Sequence, residues 1–106
     1  MGQLPSYRIE EDKLNGLADL LRIGEIEMTC TQSERLEADK MTFYREWKIT
    51  AKNGIHLIMW GKRKANRPSD ETFLELTMGS PSGKKGLDLL QFTENTLLEL
   101  GSKKIS

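Results

Sequence analysis

The dipeptide Asn53-Gly54 constrains this chain more than any other feature. It separates residues 41–51, rich in aromatic and β-branched side chains (Phe43, Tyr44, Trp47, Ile49, Thr50), from a second apolar run over residues 55–60. Asparagine and glycine both tolerate the positive φ of a type I′ turn, so the two runs predict a β-hairpin closed by a two-residue loop. Counting outward from that loop pairs Ala51 with His56, Ile49 with Ile58 and Trp47 with Trp60 on one face. Thr50 with Leu57 and Lys48 with Met59, together with Tyr44, fall on the other.

Two further segments alternate with the same period. In residues 25–31, Ile26, Met28 and Cys30 oppose Glu25, Glu27 and Thr29, and in residues 72–78, Leu74, Leu76 and Met78 oppose Phe73, Glu75 and Thr77. Helical spacing brackets the four strands. Leu14, Leu17, Ala18 and Leu21 line one face of residues 10–22, whose first turn is acidic (Glu10, Glu11, Asp12) and which meets a stop at Gly24. Residues 87–100 carry a wide apolar arc of Leu87, Leu89, Leu90, Leu97, Leu98 and Leu100 before Gly101. Polar residues 32–40 read as a connection. The order helix, four strands, helix has no internal repeat and no βαβ alternation, which predicts an α+β two-layer sandwich. Its four-stranded, mostly antiparallel sheet is flanked by an N-terminal and a C-terminal helix, and residues 1–106 form one domain.

Charge and cysteine content narrow the function classes. Lys plus Arg and Asp plus Glu are both 16, so no global field steers the chain to nucleic acid or to an anionic membrane. A single cysteine allows no internal disulfide and, with one histidine, no zinc site built from these two alone, which fits a reducing, cytoplasmic setting. No apolar run of about 20 residues spans a membrane. Met1-Gly2 with Ser6 formally meets the N-myristoylation pattern.

Three places invite a chemical reading. The turn Gly79-Ser80-Pro81-Ser82-Gly83 leads into Lys84-Lys85 and a helix, a context in which backbone N–H groups hold anions. It is one residue short of the phosphate-binding loop and has Lys85 where a magnesium-binding hydroxyl belongs, so nucleotide hydrolysis is rejected. His56 and Cys30 have no neighbour in sequence that makes a general base or a nucleophile of them. No catalytic, metal or cofactor set emerges, and the chain reads as a non-enzymatic binding protein: an adaptor, inhibitor or regulatory module. The expected contact residues are Tyr44, Lys48, Leu57 and Met59 on an uncovered sheet face, and the partner is another protein or a second copy of the chain. The alternative is single-stranded DNA or RNA, gripped by Lys62, Arg63, Lys64, Arg67, Lys84 and Lys85 beside sheet aromatics. In a simple meander these two basic groups lie at opposite ends of the sheet.

Overall fold

A computed structural model describes residues 4–79, 81 and 83–105. Gly2 of the myristoylation pattern, and Ser80 and Ser82 of the glycine-rich turn, lie outside them. The elements are β1 (Ser6–Glu10), a 3-10 turn (Glu11–Lys13), α1 (Leu14–Ile23), β2 (Glu27–Leu36), β3 (Thr42–Thr50), β4 (His56–Lys64), β5 (Phe73–Met78), α2 (Gly83–Glu99) and β6 (Lys103–Lys104). The class is α+β with an antiparallel sheet and two helices. The sheet has six strands in the order β2-β3-β4-β5-β1-β6, not four, and a strand rather than a helix comes first.

Both added strands depend on distant partners. In β1, Tyr7 and Ile9 alternate inward, but the segment is five residues long and its partner is β5, with Tyr7 opposite Leu76 and Ile9 opposite Leu74. β6 is two residues beside β1. Similarly, residues 32–36 belong to β2 because they pair with β3, past irregularities between Cys30 and Gln32 and between Gln32 and Arg35.

The hairpin forms where Asn53-Gly54 places it, with a different loop. Only Gly54 has positive φ (89°), Gly54 N–H donates to Ala51 O at 2.9 Å, and Ala51 N–H donates to Ile55 O at 2.8 Å. Asn53 stays out of the left-handed region and its Oδ1 accepts from Ile55 N–H at 3.0 Å. This three-residue loop, a tight turn followed by a glycine bulge, adds one residue to the connection. The register therefore slips by one: Thr50 faces His56, Ile49 faces Leu57, Lys48 faces Ile58, Trp47 faces Met59 and Glu46 faces Trp60. A one-residue slip turns every side chain of β4 over.

Both helices pack on the face that the slip makes apolar. Leu17 and Leu21 of α1 and Leu89 and Leu97 of α2 join Tyr7, Ile9, Trp47, Ile49, Leu57, Met59, Leu74, Leu76 and Met78 in one buried cluster. The buried stripe of α2 runs through Gly86, Leu89, Thr93, Thr96 and Leu97, and is narrower than its leucine content suggests. Leu87 and Leu98 stay more than half exposed. Thr93 fits the stripe because its hydroxyl donates to Leu89 O at 2.9 Å, a partner within its own helix.

Candidate functional site

The opposite face of the sheet has no helix over it among the described residues. Alternation on β3 directs Tyr44, Glu46, Lys48 and Thr50 there; on β4, His56, Ile58, Trp60 and Lys62; on β5, Phe73, Glu75 and Thr77. Tyr44, Ile58 and Trp60 are partly buried by their neighbours, while Phe73 and His56 are exposed.

The centre of this face is held by Glu46. Its Oε1 accepts from Trp60 Nε1 at 3.0 Å and its Oε2 accepts from the Thr31 hydroxyl at 2.8 Å, which tethers the indole to β3. Beside Trp60, a notch of about 260 Å³ is bounded by His56, Ile58, Gly79 and Pro81, and Gly79 supplies no side chain to fill it. Guanidinium groups lie over the two remaining rings, Arg35 at 5.7 Å from the Tyr44 centroid and Arg8 at 5.6 Å from the Phe73 centroid. Burial, with the Glu46 carboxylate adding to it, pushes the Tyr44 phenol up from its ordinary value.

Of the expected contact residues, the structure brings together Tyr44 and Lys48 only. Leu57 and Met59 are 3% and 0% exposed beneath the helices, the direct result of the register slip. Ile58 and Trp60 take their places on the open face. Trp60 no longer shares a face with Trp47, which is core.

The six basic candidates do not form one surface. Lys62, Arg63 and Lys64 lie within β4 rather than in a loop, so Arg63 points to the opposite face from its two neighbours. There Arg63 holds Glu34 at 2.7 and 3.1 Å, and Arg67 holds Glu11 at 2.7 Å and the carbonyl of Phe73 at 2.6 Å. Arg45 links the two carboxylates, reaching Glu34 at 3.1 Å and Glu11 at 2.5 Å. The alternating chain Arg63, Glu34, Arg45, Glu11, Arg67 ties β2, β3, β4 and the loop after β4 to the start of the 3-10 turn. Two of the expected phosphate ligands are thereby already neutralised. Lys84 and Lys85 are exposed in the first turn of α2, near the β3–β4 hairpin and at the far end of the sheet from the Arg67 loop.

The same network sets an acid limit on stability. The Arg67 hydrogen bond above all holds the Glu11 carboxyl below its ordinary 4.5, and Arg63 does the same for Glu34. Depressed carboxyls contribute stability that is full above the unfolded value and is lost as pH falls through the folded value. Urea midpoints are therefore expected to hold between pH 7 and about 5 and to fall below about 4.3. In the double variant Glu11→Gln/Glu34→Gln that fall should be smaller; an unchanged acid slope would show that these two carboxylates do not set it.

Cys30 and His56 sit on opposite faces: Cys30 is opposite core Trp47, and His56 is opposite Thr50 on the open side. They cannot act as a thiol–imidazole pair. Among the described residues no group of three or more His, Cys, Asp or Glu could hold a metal ion, and no helix is long and apolar enough to cross a membrane. A shallow groove of about 470 Å³ lies on the helical side between Gly24, Lys52, Lys85 and Phe92.

Among the site residues not anticipated are Arg8, Arg35 and Ile58. The alternation of Tyr7 and Ile9 around Arg8 was a signal for the first; the others required the register. No family model matches the chain, and no curated protein or solved structure is significantly similar to it.

Proposed function

We propose that this chain is a non-enzymatic binding module that engages a protein partner through the open face of its sheet. The observation that carries the reading is the placement of both helices on one side, which leaves Tyr44, Ile58, Trp60 and Phe73 uncovered and interleaved with charged residues. Partly apolar faces with aromatic anchors and a polar surround are the usual make-up of protein contact surfaces. Trp60, braced by Glu46 beside an unfilled notch, supplies a rigid anchor at low entropic cost.

Pairing of two copies edge to edge is the less favoured use. The outer edge of β2 is interrupted by two irregularities and carries Glu27, Glu34 and Arg35, features that blunt an edge against strand addition. At the other edge, β6 is two residues long. Nucleic acid is disfavoured by the internal neutralisation of Arg63 and Arg67 and by the separation of the two basic groups.

The test is affinity capture with the immobilised chain. Ile58→Glu on the open face is expected to abolish recovery of the partner with little change in Tm, while Leu87→Glu on exposed α2 leaves recovery intact. Recovery lost with Leu87→Glu and kept with Ile58→Glu would transfer the contact to the helical side and sink the proposal.

A further inference from the structure

Strand register gives the open face a charge order that the aromatic residues alone do not show. One residue from each of the six strands falls in a single row: Arg35 of β2, Tyr44 of β3, Lys62 of β4, Glu75 of β5, Arg8 of β1 and Lys103 of β6. Four of the six are cations and one is a carboxylate, so the row carries a formal +3 (4 minus 1) in a chain whose formal net charge is zero. With strands about 4.8 Å apart, the row is about 24 Å long. Arg35, Lys62 and Arg8 recur on every second strand, about 9.6 Å apart, and Lys103 follows one strand later.

The row's cations are available to a ligand. Lys62 meets Glu75 at 3.7 Å and Arg35 meets Glu37 at 3.9 Å, both with the cation at least half exposed. Exposed pairs of this kind contribute little, so an incoming carboxylate replaces them at little cost. In the next row, the Glu46 carboxylate is already engaged by Trp60 and Thr31 and offers less repulsion than a free acid.

We propose that the partner presents an acidic, extended segment of about seven or eight residues that lies along this row, crossing the strands, with a carboxylate at every third residue. This rests on the protein-partner reading above and names the chemistry of that partner. A chain in the polyproline II conformation rises about 3.1 Å per residue and returns to the same side every third residue, so its successive carboxylates stand about 9.3 Å apart. That repeat matches two strand spacings, and sets one acid each against Arg35, Lys62 and Arg8. Prolines between the acids hold the segment in this extended conformation. A phosphate backbone fits less well. Its charges are continuous and meet Glu75 and Glu10 on the same face, and the ring faces that would stack bases are covered by Arg35 and Arg8.

The probe is a fluorescein-labelled (Glu-Pro-Pro)₃ peptide, titrated with the full chain and followed by anisotropy. Saturable binding is expected, weakened by about tenfold or more when glutamate is replaced by glutamine and when the protein carries Arg8→Gln/Lys62→Gln, and reduced by raising salt to about 0.15 M. Thermal melts of the double variant check that it folds. Absence of binding, equal binding of the glutamine peptide, or an unaffected double variant overturns the proposal. Tighter binding of an oligothymidine overturns it in favour of nucleic acid. Failure of the peptide while Ile58-dependent capture persists removes the acidic segment alone; loss of the Ile58 dependence removes the open-face reading itself.

Discussion

Leu76→Ala is expected to lower folding stability by about 2–5 kcal/mol, the range for removing a fully buried leucine. Leu76 has no exposed surface and sits at the crossing of the fold, with Gly61 of β4 on one side and Tyr7 of β1 on the other. Its side chain therefore joins the hairpin half of the sheet to the half assembled from both ends of the chain. Against a typical stability of about 5–15 kcal/mol, the substitution removes a large share. A fall of about 10–20 °C in Tm corresponds to the middle of that range for a chain of this size. Urea denaturation with an unchanged slope and a lower midpoint would support a cavity effect; a loss under about 1 kcal/mol would mean that the site collapses or that β5 is not central.

Gly61→Val should be nearly as damaging for the opposite reason. A Cβ at position 61 would stand 2.7 and 2.9 Å from carbons of the Trp47 indole and 3.3 Å from Leu74. Trp47 is 6% exposed and has Arg45 over its ring at 5.6 Å, so the indole cannot swing away freely. Overpacking of this kind costs about 1–3 kcal/mol and occasionally more, and valine adds two methyl groups to the clash. The wedge is separable from a general weakening of β4. Trp47→Leu makes room, so the double variant Gly61→Val/Trp47→Leu is expected to be more stable than the sum of the two single losses predicts. Strict additivity would place the damage elsewhere. Tryptophan fluorescence provides a second reading, since Trp47 is core and Trp60 is on the open face.

These two positions mark where local reading stops. The alternation of Leu74, Leu76 and Met78 against Phe73, Glu75 and Thr77 was legible in the sequence, because period-two burial is written in the residues themselves. So were the inward leucines of α1 and the existence of the hairpin. The face presented by β4 was not, because it depends on whether one residue or two of the turn take positive φ. Asn53-Gly54 is compatible with either loop. The apolar content of β4 gives no arbitration, since Leu57 and Met59 on one side and Ile58 and Trp60 on the other are comparably hydrophobic. Burial under two helices chose between them.

The candidate site divides the same way. From β3 alone Tyr44 and Lys48 share the face opposite Trp47 and Ile49; that the helices leave this face open is decided by the packing and not by the strand's own pattern. Leu57 and Met59 were misplaced with the register. The basic residues of β4 were legible as charges but not as a surface, because strand geometry sends Arg63 to one side and Lys62 and Lys64 to the other, and Glu34 and Glu11 come from distant segments to meet Arg63 and Arg67.

Local spacing and composition settle the class of fold, the hairpin at Asn53-Gly54, the apolar stripes of α1 and β5, and the absence of net charge. Each follows from residues within a few positions of one another, whose spacing fixes the side they share. Tertiary structure alone decided the six-strand order, the side of β4 that faces the helices, and the row from Arg35 to Lys103. The reason is that antiparallel pairing between β1 and β5 joins residues some 70 positions apart, such as Ser6 and Thr77. No local pattern specifies which such partners meet; the burial of one common core does.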